Sequence, residues 1–285
     1  MSVFIIPKDK VIKRKEGAKY IPTISGGKDS VSQCDLLLKN GFPVDEIIFC
    51  DTFQEFPMMY KYIEKIKKYF DDRYGKKITV LKPLTTFEEW CFGVIRDKNA
   101  DGYGAIRGIP NPADNESQCY HRRETKVKPS DAYLNEKYPD SHIVKYIGYT
   151  KGENRSYKDT DRCTHLYPLK HIFKMTEDDC KKYMIDQEME NPLYKFFSRS
   201  GCGICPFQSE RSMFQLYHNF RDIWDYMKGI EKRLEQYEKM GFRVMNRYWF
   251  TGYRTLEQME HKFNLNKATL FDFSDEPIRD CFCKI

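Results

Sequence analysis

Ser25-Gly26-Gly27-Lys28-Asp29-Ser30 gathers two hydroxyls, a Gly-Gly pair, an ammonium and a carboxylate into one short stretch. That combination suits an anion. Glycines let the backbone curl close to phosphate oxygens. The N–H groups freed at a following helix start, with the positive end of its dipole, then point at the charge. Lys28 adds a mobile cation, and Ser25 and Ser30 add donors. A Gly-Gly pair alone would be only a turn. Here the stretch follows an apolar run and precedes helical spacing, where an anion-binding loop has to sit. The GxxxxGK[ST] spacing of a Walker loop is missing, so the phosphate cradle is of another kind.

A second chemistry-bearing pattern is Cys202 and Cys205, flanked by Gly201, Gly203 and Pro206. The spacing lets two thiolates reach one metal, and it equally suits a redox dithiol. Cys281 and Cys283 could complete a metal site or form a redox tail. Ten cysteines in 285 residues are too sparse for a disulfide-stapled mini-fold. The first twenty residues turn basic too early for a secretory leader, so reduced thiols and a cytoplasmic protein are expected. Cys34, Cys50, Cys91 and Cys180 fall on apolar faces and read as core, while Cys163 has no assignment. The six His carry no HxH or HExxH spacing; His121, near Cys119, stands apart. Arg122, Arg123 and Lys126 suit an anionic acceptor or a solvated helix face. Glu55 and Glu153 could bind Mg2+ or ribose, or cap helices and pair with arginines.

The elements that must position these groups alternate. Residues 19–25, 46–51, 77–81 and 143–149 read as strands. Residues 29–39 and 57–69 and a stretch around Phe87 to Val94 read as the intervening helices. Such repeats imply an α/β fold: an open parallel sheet of about five strands with helices on both faces. Residues 96–119 and 148–162 read as loops over the active face. Helical spacing returns over 176–185 and from 209 to about 237, giving a mostly helical C-terminal extension. The expected organisation is a basic arm over 1–18, an α/β domain over 19–207 and the extension over 208–285. Aromatic residues at 15% exclude a disordered or fibrous chain. No apolar run approaches the ~20 residues of a membrane span. A net charge of +6 is compatible with phosphate or nucleic-acid handling without requiring it.

The loop resembles the SGGxDS loop of the PP-loop ATP pyrophosphatase, or adenine nucleotide alpha-hydrolase, superfamily. Further segments resemble its phosphoadenosine phosphosulfate (PAPS) reductase family. These are Asp51-Thr52-Phe53-Gln54-Glu55-Phe56-Pro57, and Cys119 with Arg122, Arg123 and Lys126. Gly148-Tyr149-Thr150-Lys151-Gly152-Glu153-Asn154-Arg155, Asn191-Pro192-Leu193-Tyr194 and Arg199-Ser200-Gly201-Cys202-Gly203-Ile204-Cys205-Pro206 follow in family order. The resemblance implies that Ser25, Gly26, Gly27, Lys28, Asp29 and Ser30 cradle the phosphates of ATP with Mg2+, with Lys28, Asp29 and Ser30 catalytic. It implies that Asp51, Gly148, Glu153 and Arg155 help bind the nucleotide, and that Arg122, Arg123 and Lys126 hold the acceptor. It also implies a [4Fe–4S] cluster, with zinc as runner-up, on Cys119, Cys202 and Cys205, which Cys283 of the terminal Cys-Phe-Cys could complete as a fourth ligand.

The departures are specific. Phe53 stands where the family has Gly, so the local turn is expected to differ, and Thr150 stands where Arg is usual. Tyr120 follows Cys119 where iron–sulfur reductases carry a second Cys, and their Glu-Cys-Gly tail is absent. The intact loop resembles the ATP-splitting members instead. The leading expectation is therefore adenylyl transfer with pyrophosphate release, in sulfur metabolism or nucleic-acid modification, with a nucleic acid or a sulfur-donor protein as partner. A sulfonucleotide reductase using Cys281 or Cys283 is one alternative. A non-catalytic nucleotide- or nucleic-acid-binding protein is the other.

Overall fold

A computed structural model describes residues 5–110, 119–249, 254–264 and 269–275. Its centre is a sheet of strands β1 (Ala18–Ile24), β2 (Ile47–Cys50), β3 (Ile78–Leu81), β4 (His142–Tyr146) and β5 (Cys163–Leu166). The order is β3-β2-β1-β4-β5 and every pairing is parallel. The expected α/β fold is what forms. Every residue of β2, and all of β1 except Lys19, is buried, as covering both faces of a parallel sheet requires. The chain winds outward from β1 through β2 to β3, then returns to the other side of β1 for β4 and β5. This reversal opens a crevice between the carboxyl ends of β1 and β4, the place where open α/β sheets bind ligands.

Helices α1 (Lys28–Lys39), α2 (Pro57–Tyr74), α3 (Phe87–Cys91) and α4 (Lys128–Lys137) connect the strands. Helix α2 starts with Pro at its first turn and ends at Gly75 in the left-handed conformation, both standard boundary chemistry. A helical turn, Tyr120–Arg122, and a π turn, Arg123–Val127, lead directly into α4. Three tyrosine hydroxyls converge on the fully buried Asp35 of α1: Tyr69 at 2.9 Å, Tyr74 at 2.7 Å, and Tyr183 of α5 (Glu177–Asp186). These bonds tie α1 to α2 and α5 and so fix the helix that opens at the Gly-Gly loop.

Three sequence expectations need correcting. The fifth strand is Cys163–Leu166, a partly exposed edge strand that the reading did not identify. The helix expected from 209 to about 237 is two helices, α6 (Glu210–Asn219) and α7 (Arg221–Lys239), broken at Phe220 with φ −138° and ψ 57°. Residues 96–110 are not simply a loop over the active face. Ile106 N–H donates to Arg243 O at 2.8 Å and Ile109 N–H to Asn246 O at 2.8 Å, stitching this stretch to the chain beyond α7.

The C-terminal helices share the core of the sheet domain. Leu216, Trp224, Met227 and Leu234 belong to the same buried cluster as Ile24, Phe49 and Phe56. Within this region Glu231 is buried, accepting N–H bonds from Leu256 (2.8 Å), the first residue of α8 (Leu256–Phe263), and from Trp249 (3.5 Å). Burial outweighs those bonds and pushes its carboxyl up to about 7. With the folded value above the unfolded one, its contribution to stability is fully present below the ordinary carboxyl range. It is lost as pH rises towards and through 7. A shift of this size corresponds to about 3 kcal/mol. Glu231→Gln is therefore expected to gain stability relative to the native chain by about that amount between pH 5 and pH 8. Urea unfolding at the two pH values checks this, and equal changes in both proteins would refute it.

Candidate functional site

The loop leaves β1 at Ile24 and enters α1 at Lys28, with Gly27 as an N-cap that offers no side chain to the helix amides. Its shape is set internally: Ser25 N–H donates to Ser30 Oγ (3.1 Å), and that hydroxyl donates to Gly27 O (3.1 Å). Gly26 has φ +75°, a conformation that favours glycine, and a Cβ there would press on the Met59 side chain, 2.5 Å from its Sδ. From a distant segment, Asn191 Nδ2 donates to Gly26 O (2.8 Å), and Lys28 N–H donates to the Tyr194 hydroxyl (2.9 Å). On the far side of the crevice, Gly148 follows β4. A Cβ at Gly148 would meet the Ser30 backbone at 3.1–3.2 Å, so glycine lets the chain after β4 close on the first turn of α1.

The loop opens into a cavity of about 120 Å3. Ser25, Gly27, Lys28, Asp29 and Ser30 line it with Glu55, Lys126, Arg155, Glu177, Tyr194, Arg199, Ser200 and Cys205. That space is smaller than the roughly 300–1,000 Å3 of small-molecule sites. It can enclose phosphate groups, and the rest of a nucleotide would lie outside. Lys28 is 8% exposed, its Nζ 2.8 Å from Glu177 and 3.5 Å from Asp29. Burial works to lower its basicity, but Asp29, Tyr194 and Glu177 together hold the ammonium above its usual range. Glu55 is buried, accepts from Thr52 Oγ1 (3.0 Å), and has its carboxyl raised by burial against the opposing pull of Lys126.

Glu55 also lines a separate, open groove of about 830 Å3 walled by Phe53, Phe92, Ile204, Ile223 and Tyr226. Phe53 adopts φ +61°, so an L-residue carries a conformation that favours glycine. The turn is held by Phe53 N–H to Asp51 Oδ1 (2.9 Å) and Gln54 N–H to Thr52 Oγ1 (3.2 Å).

The other sequence-expected residues divide. Lys126 and Arg155 reach the cavity, whereas Arg122, Arg123, Asp51, Gly148 and Glu153 do not line it. Arg122 is buried and donates to the Tyr157 hydroxyl (2.9 Å), and Arg123 donates to Glu124 (2.8 Å). Asp51 accepts from Tyr60 Oη (2.9 Å) as well as from Phe53. Glu153 accepts from Thr150 N–H (2.8 Å) and Arg155 (2.6 Å), shaping the turn that presents Arg155. Cys202, Cys205 and Phe207 form one buried apolar cluster, with Cys119 packed against it. Among the described residues no three His, Cys, Asp or Glu side chains stand in metal-holding geometry. The three thiols thus share a neighbourhood without being set as ligands. Cys283 lies outside the described residues. His121 is buried edge-on to Phe87, with burial pushing its imidazole down to about 4. Cys34, Cys50, Cys91 and Cys180 are buried as expected. No described helix is long and apolar enough to cross a membrane.

Sequence reading missed Glu177 and gave no role to Tyr194, Arg199 or Ser200. The last three sit in segments quoted only for their resemblance. Glu177 looked like an ordinary first-turn acid behind the Thr176 cap, which it also is.

Residues 19–93 match the family model of the phosphoadenosine phosphosulfate reductase domain. An uncharacterized protein of Methanocaldococcus jannaschii is 25% identical over 225 residues, 76% of this chain and 42% of that protein. The chain thus spans about two-fifths of that curated relative's length. The phosphoadenylyl-sulfate reductase of Candida auris, solved as a phosphate complex, is similar with TM-score 0.43 and 18% identity, covering 65% of this chain and 81% of that one. The U34-tRNA thiolase NcsA of Methanococcus maripaludis, solved with its [4Fe-4S] cluster, is similar with TM-score 0.38 and 15% identity, covering 82% of this chain and 76% of that one. The segment that is similar to the phosphoadenosine phosphosulfate reductase domain runs from β1 through the Gly-Gly loop to α3.

Proposed function

We propose that the chain is an enzyme that binds ATP at the Gly-Gly loop and splits it between the α and β phosphates, passing the adenylyl group to an acceptor and releasing pyrophosphate. The observation that carries this reading is the convergence of Lys28, Lys126, Arg155 and Arg199, from four separate segments, on one phosphate-sized cavity at the crevice beside β1. Cations and helix-start amides there oppose the charge that grows on departing pyrophosphate. Lys28 exchanges its contact with Glu177 for a phosphate oxygen. Tyr194 yields the Lys28 amide in the same way, so the loop's donors pass from protein to substrate. Asp29 and Glu177, the carboxylates beside Lys28, would hold Mg2+, which offsets phosphate charge when bound. The adjoining groove beyond Glu55 gives an acceptor room to approach.

The same reading assigns Cys119, Cys202 and Cys205 to a [4Fe–4S] cluster in sulfur chemistry. Their shared apolar neighbourhood, and the presence of Cys205 in the cavity wall, support it. The deciding experiment is a paired assay. ATP with Mg2+ and candidate acceptors, including tRNA and DNA, is expected to yield pyrophosphate. PAPS with thioredoxin is expected to yield no sulfite. Sulfite without pyrophosphate would make the chain a sulfonucleotide reductase. Tight ATP binding without either product would make it a binding protein.

A further inference from the structure

Away from the cavity, on the edge strand β5, three residues stand in the order of a nucleophile, a base and its orienting acid. Cys163 Sγ is 3.7 Å from His165 Nε2, and His165 Nδ1 is 3.1 Å from Asp159 Oδ1. Cys163 and His165 are two apart on a strand and so share a face. Asp159 is placed by a second bond, from His165 N–H at 2.8 Å. The turn between them is closed by Thr160 and Cys163, whose N–H groups each donate to the other's carbonyl (2.9 and 3.2 Å). With the imidazole proton on Nδ1, towards Asp159, Nε2 is left to accept from the thiol.

We propose that Cys163, His165 and Asp159 form a thiol-exchange site whose substrates are low-molecular-weight disulfides. The Cys163 proton passes to His165 Nε2, and the thiolate attacks one sulfur of the disulfide. A new S–S bond forms to Cys163 as the old one breaks, and the departing thiolate takes the proton from the imidazolium. The products are a mixed disulfide on Cys163 and one free small thiol, so no further oxidant or reductant is needed. Asp159 is a positioning residue that favours the imidazolium.

The surroundings fit this assignment. Burial pushes the Cys163 thiol up and the His165 imidazole down. At neutral pH the resting pair is therefore thiol and neutral base, which needs the base to act. Lys145 favours the thiolate, whereas Asp131, bonded to it at 2.8 Å, and Asp159 oppose it. His142 bonds Thr164 Oγ1 (3.0 Å) and the Asp161 carbonyl (3.1 Å), and the Tyr157 ring lies 5.2 Å from His165. Strand β5 ends the sheet order and its residues are only partly buried, with Cys163 packed on one side against the cluster of Ile21, Ile48, Leu134 and Ile143 and open on the other to the sheet edge. A small disulfide can therefore approach from the edge.

The test is pulse labelling of the full chain with 5,5′-dithiobis(2-nitrobenzoate), with peptide mass spectrometry reading the Cys163 adduct. At pH 7, His165→Gln is expected to slow labelling of Cys163 by about tenfold or more, and Asp159→Asn by less. In the native chain the rate should stay level above the imidazole titration, where His165 is neutral and Cys163 still a thiol, and fall as the imidazole protonates. An unassisted thiol would instead lose about tenfold per pH unit. This profile remains decisive if the His165 variant does not fold. Equal rates in native and His165→Gln proteins, a log-linear pH profile up to pH 9, or an unlabelled Cys163 would each overturn the assignment.

Discussion

Lys28→Ala is expected to weaken ATP binding by about 3 kcal/mol, roughly a hundredfold in Kd, and to end ATP-dependent pyrophosphate release. A single charge-assisted hydrogen bond would account for about 1.5–3 kcal/mol. The surroundings push the loss to the upper end. Lys28 is nearly buried between Asp29 and Glu177, so its removal leaves two carboxylates facing the incoming phosphates. Glu177→Gln removes a carboxylate that would hold Mg2+ beside Lys28, and is expected to weaken ATP binding in the presence of Mg2+ more than in its absence. Gly27→Val attacks the backbone instead. A Cβ at Gly27 would sit 2.9 Å from Ser200 Oγ and 3.4 Å from Ser25 Oγ, closing the loop against its own wall. Calorimetric titration with ATP reads all three. Unchanged affinity in both Lys28→Ala and Gly27→Val would remove the nucleotide site from this loop.

What the sequence made legible was local. Strand, Gly-Gly turn and helix start are contiguous, so their order alone marked the loop as a candidate anion site, and apolar runs marked β1 to β4. Strand β5 was missed because Cys163-Thr164-His165-Leu166 is a short edge strand with no buried face to impose alternation. The break between α6 and α7 was invisible for the opposite reason. Met213, Leu216, Phe220, Trp224 and Met227 keep helical spacing across it. Phe220 leaves the helical conformation while its ring still joins Phe56, Phe196 and Phe197 at 4.9–5.5 Å. Periodicity registers which residues are buried and not whether the backbone between them stays helical.

The cavity was legible in part for the same reason. Lys126 and Arg155 follow from charge in segments already singled out, but Arg122 and Arg123 have the same charge and do not line it. Which member of a basic run reaches a site depends on the π turn at Arg123–Val127 that rotates them, and composition cannot supply that. Glu177 and Tyr194 approach Lys28 from 149 and 166 residues away along the chain. Only the tertiary fold brings them there.

The cysteines carry the other large expected effect. Cys119, Cys202 and Cys205 come from two distant segments into one apolar cluster with Phe207, and Cys205 also faces the cavity. Cysteines gathered to fill core space would be expected deep in it, as Cys34 and Cys91 are, with no exposure at all. Thiols grouped beside a polar cavity are the ones that the proposed cluster would draw together as ligands. Anaerobic reconstitution is therefore expected to give brown protein with about four iron and four sulfide per chain, the content of a cubane held by thiolates. Alanine at any one of Cys119, Cys202 or Cys205 is expected to remove that colour, whereas Cys34→Ala and Cys91→Ala should keep it. Because a three-thiolate cluster leaves one iron without a protein ligand, the colour should also bleach in air. Joint replacement of Cys281 and Cys283 tests the fourth ligand: lost iron makes the tail part of the site, and retained iron with lost turnover makes it a redox tail. A colourless protein with one tightly held zinc would refute the cluster and leave these thiols a structural clip.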